Sequence, residues 1–181
     1  MLRTGIIIIL LSMILTPLYG QSRKFIKTTT DVLFLVNPAA GFLGSIAKED
    51  YKGTKQIVIG GATSLAVTYI LKYSISKERP DESDYHSFPS AHTSIAFQGA
   101  TFLHRRYGFK VAMPAYAVAT YVAWGRIYAE KHDIWDVLGG AAIGIGSSLI
   151  FTRPFAQKMN LTLAPVTFYN KYPGFYASIT F

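Results

Sequence analysis

Two histidines, His92 and His132, are the residues most able to do chemistry in this chain, because imidazole attacks, donates and accepts protons near neutral pH. Asp136 follows His132 at i+4. In a helix beginning near His132 the two share a face, and the carboxylate would take the N–H of one ring nitrogen and leave the other free to attack an electrophile. Asp133 is suited to capping that helix. No third ligand at helical spacing accompanies the pair, so a metal site is poorly supported. The other candidate groups suit an anion. Lys72 and Arg79 stand where an apolar segment gives way to a loop, since Pro80 disfavours helical geometry at Arg79. In Ser87-Phe88-Pro89-Ser90-Ala91-His92-Thr93 a polar turn opens a helix, whose first backbone N–H groups and dipole attract anions. Arg126 precedes His132 by six positions. Taken singly, each feature has an ordinary explanation: solvated charges at a helix end, a plain cap, a surface His–Asp hydrogen bond.

The elements that must position these groups are helices. With 181 residues the chain is read as one domain, and 50% hydrophobic against 15% charged residues excludes disorder. The absence of cysteine removes disulfides, thiol catalysis and Cys-ligated zinc. A formal charge of +8 points to an anionic partner. The cations are scattered at segment ends rather than gathered in a stripe with stacking aromatics, which argues against nucleic acid. Apolar segments at Val32–Ala47, Gln56–Leu71, Thr93–Leu103, Val111–Gly125 and Val137–Thr152 are too long for strands, and Gln21–Thr30 reads as a polar connector. Gly139, Gly140, Gly144 and Gly146 would let helices approach closely, in lipid or in a soluble bundle. Residues 1–20 combine a basic start, an unbroken apolar run and a small residue at Gly20, the pattern of a secretory signal or of an anchor helix. From Leu161 the apolar residues alternate around an Asn170–Gly174 turn, a hairpin signal.

Together, Lys72 with six residues to Arg79-Pro80, Pro89-Ser90-x-His92, and Arg126 with five residues to His132 and three to Asp136 resemble the type 2 phosphatidic acid phosphatase superfamily, which also holds bacterial acid phosphatases and vanadium haloperoxidases. The resemblance covers Lys72 to Asp136. It implies an all-α bundle of about five to six helices over residues 21–160, here with a short C-terminal β-hairpin-like tail at 161–181. It further implies that His132 attacks phosphorus to give a phosphohistidine, that Asp136 orients it, and that His92 protonates the leaving oxygen and then activates water. Lys72, Arg79, Arg126, Ser90 and the backbone of Ala91 would bind the phosphate, with no metal or other cofactor. Two positions depart from the family: Ala91 stands where Gly is usual and Gly125 where Ser is usual.

The expected function is a metal-independent envelope phosphatase acting on a lipid phosphate or pyrophosphate, such as lipid A, undecaprenyl pyrophosphate, phosphatidylglycerol phosphate or phosphatidic acid. The membrane is the expected partner, and the site is expected to face the periplasm. The basic, aromatic run Phe102–Gly108 reads as a membrane-interface element. Competing readings are a soluble broad-specificity acid phosphatase, a vanadate-dependent haloperoxidase, and a non-catalytic lipid-binding or structural envelope protein. The sequence leaves the oligomeric state open.

Overall fold

The structure, a computed structural model, describes residues 23–155, 160–168 and 172–180. Among the described residues six helices follow one another: α1 (Arg23–Leu33), α2 (Val36–Ala47), α3 (Tyr51–Ser74), α4 (Ala91–Tyr107), α5 (Phe109–Tyr128) and α6 (Ile134–Phe151). Strands β1 (Asn160–Phe168) and β2 (Tyr172–Thr180) then pair antiparallel. The all-α bundle with a hairpin tail is as expected. The signal or anchor reading of residues 1–20 lies outside the described residues.

Two local readings need correction. The stretch taken as a polar connector is mostly α1, an amphipathic helix in which Ile26 and Thr30, one turn apart, are buried while Arg23, Lys24 and Lys27 stay exposed. In the tail, Tyr172, Pro173 and Gly174 belong to β2, where they pair with Phe168, Thr167 and Val166 instead of forming the turn.

The helices α1 and α2 form one interrupted rod. Pro38 has no N–H to give the carbonyl four residues back, that of Phe34, and its ring crowds that carbonyl, so the helix breaks at Phe34-Leu35. The buried Asn37 beside the break is fastened to the bundle, donating to the carbonyls of Ala96 at 3.0 Å and Ala115 at 2.8 Å. This fixes the height at which the last turn of α1 meets its neighbours.

The centre of the bundle is α4, packed against α2, α3, α5 and α6. Its buried core includes Ala96, Ala100 and Phe102. Fully burying a side chain such as Phe102 is worth about 1.5–3 kcal/mol. Polar groups are buried along α4 too, and they are paired: Ser64 and Ser94 hydroxyls lie 2.6 Å apart, and Thr68 donates to Ser94 at 3.0 Å. Along α6 the small residues let backbone touch backbone. A Cβ on Gly140 would strike the Ser90 carbonyl oxygen, and one on Gly144 the Ser94 carbonyl oxygen. Since α4 opens beside His92 and α6 opens beside His132, this contact sets the spacing of the two imidazoles.

Three segments, Arg23–Ala47, Tyr51–Ser74 and Ile134–Phe151, are long and apolar enough to cross a membrane. Large apolar side chains on their outer faces are exposed, including Val32, Leu43, Ile70 and Ile150, as befits a surface facing lipid.

Candidate active site

The ends of α1, α3, α4, α5 and α6 that carry the candidate residues lie together; this is called the site end here, and the other the far end. The loop leading out of α5 is short and sharply folded. Glu130 adopts a left-handed conformation with φ 56°, and the N–H groups of Lys131 and His132 both return to the Arg126 carbonyl, at 3.1 and 3.3 Å. That turn brings His132 back beside Arg126. The helix expected to begin near His132 begins instead at Ile134, with Asp133 as its N-cap. A reciprocal box explains the shift: Asp133 Oδ1 accepts from the Asp136 N–H at 3.0 Å, and Asp136 Oδ2 accepts from the Asp133 N–H at 3.0 Å. Asp133 caps as anticipated.

Asp136 is completely buried. Its Oδ1 accepts from Lys77 Nζ at 2.7 Å, and its Oδ2 accepts from the Ser87 hydroxyl as well as from Asp133. His132 Nδ1 lies 3.6 Å from Oδ2, an electrostatic contact just beyond hydrogen-bond length. The His132 ring is 3% exposed and its Nδ1 has no hydrogen-bond partner. Burial pushes the His132 pKa below its ordinary value, the Asp136 carboxylate partly offsets that, and the cations Arg126, Arg79 and Lys72 push the same way as burial. The imidazole is therefore neutral at neutral pH, as a nucleophile must be.

Arg126 is 5% exposed. One terminal nitrogen donates to Asp31 Oδ1 at 2.5 Å, while its buried Nε has no partner. An unpartnered buried guanidinium donor is costly and suits an anion that arrives later. Arg79 donates from Nε to Asp84 at 2.7 Å and from Nη1 to the Lys131 carbonyl at 3.2 Å. Lys72, buried in the last turn of α3, donates to the His86 carbonyl at 2.7 Å. In this arrangement both cations also brace the 75–90 loop, which is further tied by the Ser87 N–H to the Lys77 carbonyl at 2.9 Å.

Ser90 is the N-cap residue of α4 and fully buried; its N–H donates to the Asp136 carbonyl at 2.9 Å, and its hydroxyl accepts from Thr93 at 3.1 Å. Ala91 and His92 form the first turn of α4, whose N–H groups have no partner within the helix. His92 Nε2 lies 3.1 Å from Asp31 Oδ1, and its ring packs on Phe34 with centroids 4.4 Å apart. All eight sequence-selected residues thus gather at one end of the bundle.

Three participants were not selected from the sequence: Asp31, Lys77 and Ser87. Lys77 and Ser87 lie inside the motif region with no spacing that marks them. Asp31 lies some forty residues before the first motif, and its signal was a lone carboxylate at the edge of an apolar run. The departure at Gly125 also has a structural reason. A Cβ there would strike the Thr30 side chain and sit 3.1 Å from Ile26 Cγ2. Its role is to admit α1, and α1 carries Asp31. The Phe102–Gly108 run lies at the far end of α4, away from the site, with Phe102, Leu103 and Arg106 buried and His104 and Arg105 exposed. A cavity of about 750 Å³ also lies at the far end, lined by Lys48, Arg106 and Phe155 among others. It holds no His–carboxylate pair, and the chemistry belongs to the site end.

The chain belongs to the PAP2 superfamily. The family's model matches residues 54–159, which carry every sequence-selected site residue. Over 125 residues it is 31% identical to the lipid A 4'-phosphatase of Helicobacter pylori, covering 63% of either chain. Over 102 residues it is 38% identical to the lipid A 1-phosphatase of Porphyromonas gingivalis, covering 50% of this chain and 23% of that one. The crystal structure of Aquifex aeolicus LpxE superposes with a TM-score of 0.56 at 25% identity, covering 66% of this chain and 83% of that one. The chain thus spans less than two thirds of the length of these curated relatives.

Proposed function

We propose that this PAP2 protein is a metal-independent phosphatase that removes a phosphate from a membrane lipid through a phosphohistidine, with lipid A the first substrate to test. The observation that carries this reading is the buried His132 beside Asp136, in the field of Arg126, Arg79 and Lys72 and with His92 across from it. Phosphoryl transfer asks mainly for positioning and charge neutralisation. Three cations face a group bearing up to two negative charges, and the free Arg126 Nε, the α4 N-terminus at Ala91 and the Ser90 hydroxyl complete a cradle. A neutral His132 attacks phosphorus as the P–O bond breaks, and His92 hands a proton to the leaving oxygen. His92 then takes a proton from water as that water attacks the phosphohistidine, and phosphate departs. Asp136 stabilises the charge His132 acquires, as an oriented carboxylate does for a catalytic imidazole.

A lipid substrate is supported by the depth of the site. Exposed aromatic side chains cluster at the site end, with Tyr69, Tyr73, Trp124, Tyr128 and Trp135 on three helices; Trp124 and Tyr128 stack with centroids 5.2 Å apart. Trp and Tyr at such positions favour the level of lipid headgroups. Exposed Lys48, Lys52, Lys55, Arg105, Lys110 and Arg153 lie at the far end. The excess of Lys and Arg usual on cytoplasmic flanks supports a reading in which the far end lies inside and the site faces the periplasm. The names of the relatives point to lipid A among the phosphorylated lipids.

The deciding experiment is phosphate release by the purified protein in detergent with EDTA, from lipid A, undecaprenyl pyrophosphate, phosphatidic acid and p-nitrophenyl phosphate. Turnover of a lipid in preference to the soluble ester is expected. Preference for the soluble ester would overturn the lipid assignment, and silence across the panel would favour a scaffold that does not catalyse.

A further inference from the structure

Asp31 in the last turn of α1 and Phe34 in the turn that follows it both meet His92. Asp31 Oδ1 lies 3.1 Å from His92 Nε2 and 2.5 Å from Arg126 Nη1. Phe34 packs on the same imidazole with its ring tilted by 60°. Neither residue belongs to the motifs, and the family match begins at residue 54. The contact is nevertheless prepared by the fold. Pro38 breaks the rod just after Phe34, Asn37 pins the break to α4 and α5, and Gly125 clears room for Ile26 and Thr30. A chain that gives up a family hydroxyl at residue 125 gains close packing of the helix that carries Asp31.

We propose that Asp31 is a positioning residue for His92, forming with it an Asp–His pair that makes His92 the acid of the reaction. This rests on the phosphatase reading above. The physical need is plain. His92 must carry a proton to release an alkoxide, yet burial and repulsion from the Arg126 cation beside it hold its pKa down to about 4, with Asp31 pushing it up. A carboxylate that accepts from Arg126 and lies 3.1 Å from His92 Nε2 offsets that repulsion and orients the ring. With Nε2 held by Asp31, the proton passed to the leaving oxygen is the one on Nδ1. The electron pair of the breaking P–O bond goes to that oxygen, and His92 returns to neutral, ready to take a proton from the attacking water. The molecule then contains two Asp–His pairs with opposite tasks: Asp136 stabilises a histidine that attacks, and Asp31 a histidine that protonates.

The test is leaving-group dependence. An alkyl phosphate such as a lipid phosphate needs a proton on its leaving oxygen, whereas p-nitrophenolate leaves without one. Asp31→Asn keeps the size and one acceptor oxygen and removes the charge. It should lower kcat/KM on the lipid phosphate about 100-fold, within the usual range for general-acid catalysis, and on p-nitrophenyl phosphate by less than about 3-fold. His92→Gln should show the same selectivity more strongly. Equal losses on both substrates for Asp31→Asn, or no loss on either, would overturn the proposal, since a merely structural or Arg126-orienting role has no reason to discriminate between leaving groups. If Asp31→Asn fails to fold, Asp31→Ser answers the same question. His92→Gln without effect on either substrate would likewise overturn it, whereas no phosphate release from either substrate by the unsubstituted protein would overturn the phosphatase reading itself, so the two failures are distinguishable.

Discussion

Each end of the bundle holds a buried arginine paired with an aspartate, and the two pairs differ in how completely they are satisfied. At the far end, Arg106 donates from Nε to Asp50 at 2.6 Å and from Nη2 to the other oxygen of that carboxylate, and its Nη1 reaches the carbonyls of Arg153 and Pro154 at 2.8 and 2.9 Å. Asp50 also accepts from the Tyr107 hydroxyl and the Gly53 N–H, each at 2.9 Å, and Phe155 covers the guanidinium at 5.1 Å. Four of the five guanidinium N–H groups are thereby used. At the site end, Arg126 touches one carboxylate oxygen and leaves Nε bare. A satisfied network holds helices together, whereas an incomplete one in the same low-dielectric interior remains open for a phosphate.

The most severe way to break the comparison is at the nucleophile. His132→Ala should reduce phosphate release at least about 10³-fold, measured beside an unfolding curve that changes little. The arginines themselves come next and should separate cleanly. Arg126→Gln should lower kcat/KM by about 10²–10³-fold, equivalent to losing one preorganised donor worth about 2.7–4 kcal/mol, with little loss of stability. Arg106→Ala should do the reverse. It strands the Asp50 charge, costs on the order of 3–5 kcal/mol of stability and spares activity in whatever fraction remains folded. Equal effects of the two substitutions on turnover would erase the distinction.

A smaller effect tests how the site end is spaced. Gly144→Ala drives a methyl group into the Ser94 backbone, a contact that cannot yield as a flexible side chain would, and overpacking of this kind costs about 1–3 kcal/mol. Gly146→Ala, two positions away, meets nothing within 4 Å and should be neutral or stabilise by up to about 1 kcal/mol. Paired thermal melts decide whether the glycine stripe is a contact surface or merely a run of small residues.

What was legible beforehand follows from the reach of each residue's signal. Lys72, Arg79, Ser90, Ala91, His92, Arg126, His132 and Asp136 were readable because their types and spacings recur together in a known pattern. Five helices were readable from their apolar runs. The start of α1 was not, because Lys24, Lys27 and the threonines around them look like a linker until Ile26 and Thr30 meet Gly125. Asp31 was invisible for the same reason, since its value depends on a helix break at Pro38 that fixes where it lands. Lys77 and Ser87 act through Asp136, and a residue that satisfies a buried carboxylate leaves no spacing of its own. The capping box at Asp133 was half visible: the cap was expected, but the reciprocal bond that moves the helix start past His132 needed coordinates.

The mildest expected effect is in pH dependence. The His132 imidazole is kept neutral by burial and by the surrounding cations, so its folded pKa is below the ordinary 6.5. Two consequences share that sign. The acid limb of kcat/KM, where the nucleophile becomes protonated, should fall below pH 6.5 and should shift upward in Arg126→Gln, which removes one of the cations that disfavour the charged ring. The unfolded chain, with the higher pKa, takes up this proton first as pH falls. The neutral ring therefore contributes stability that is complete above about 6.5, and that contribution is lost as pH drops from there through the folded value. A proton-linked change in melting temperature confined to that window, and absent from His132→Ala, is the expected result. An acid limb above pH 6.5 would mean that His132 is held as the cation, with Asp136 outweighing burial, and would end the contrast between an open site end and a closed far end.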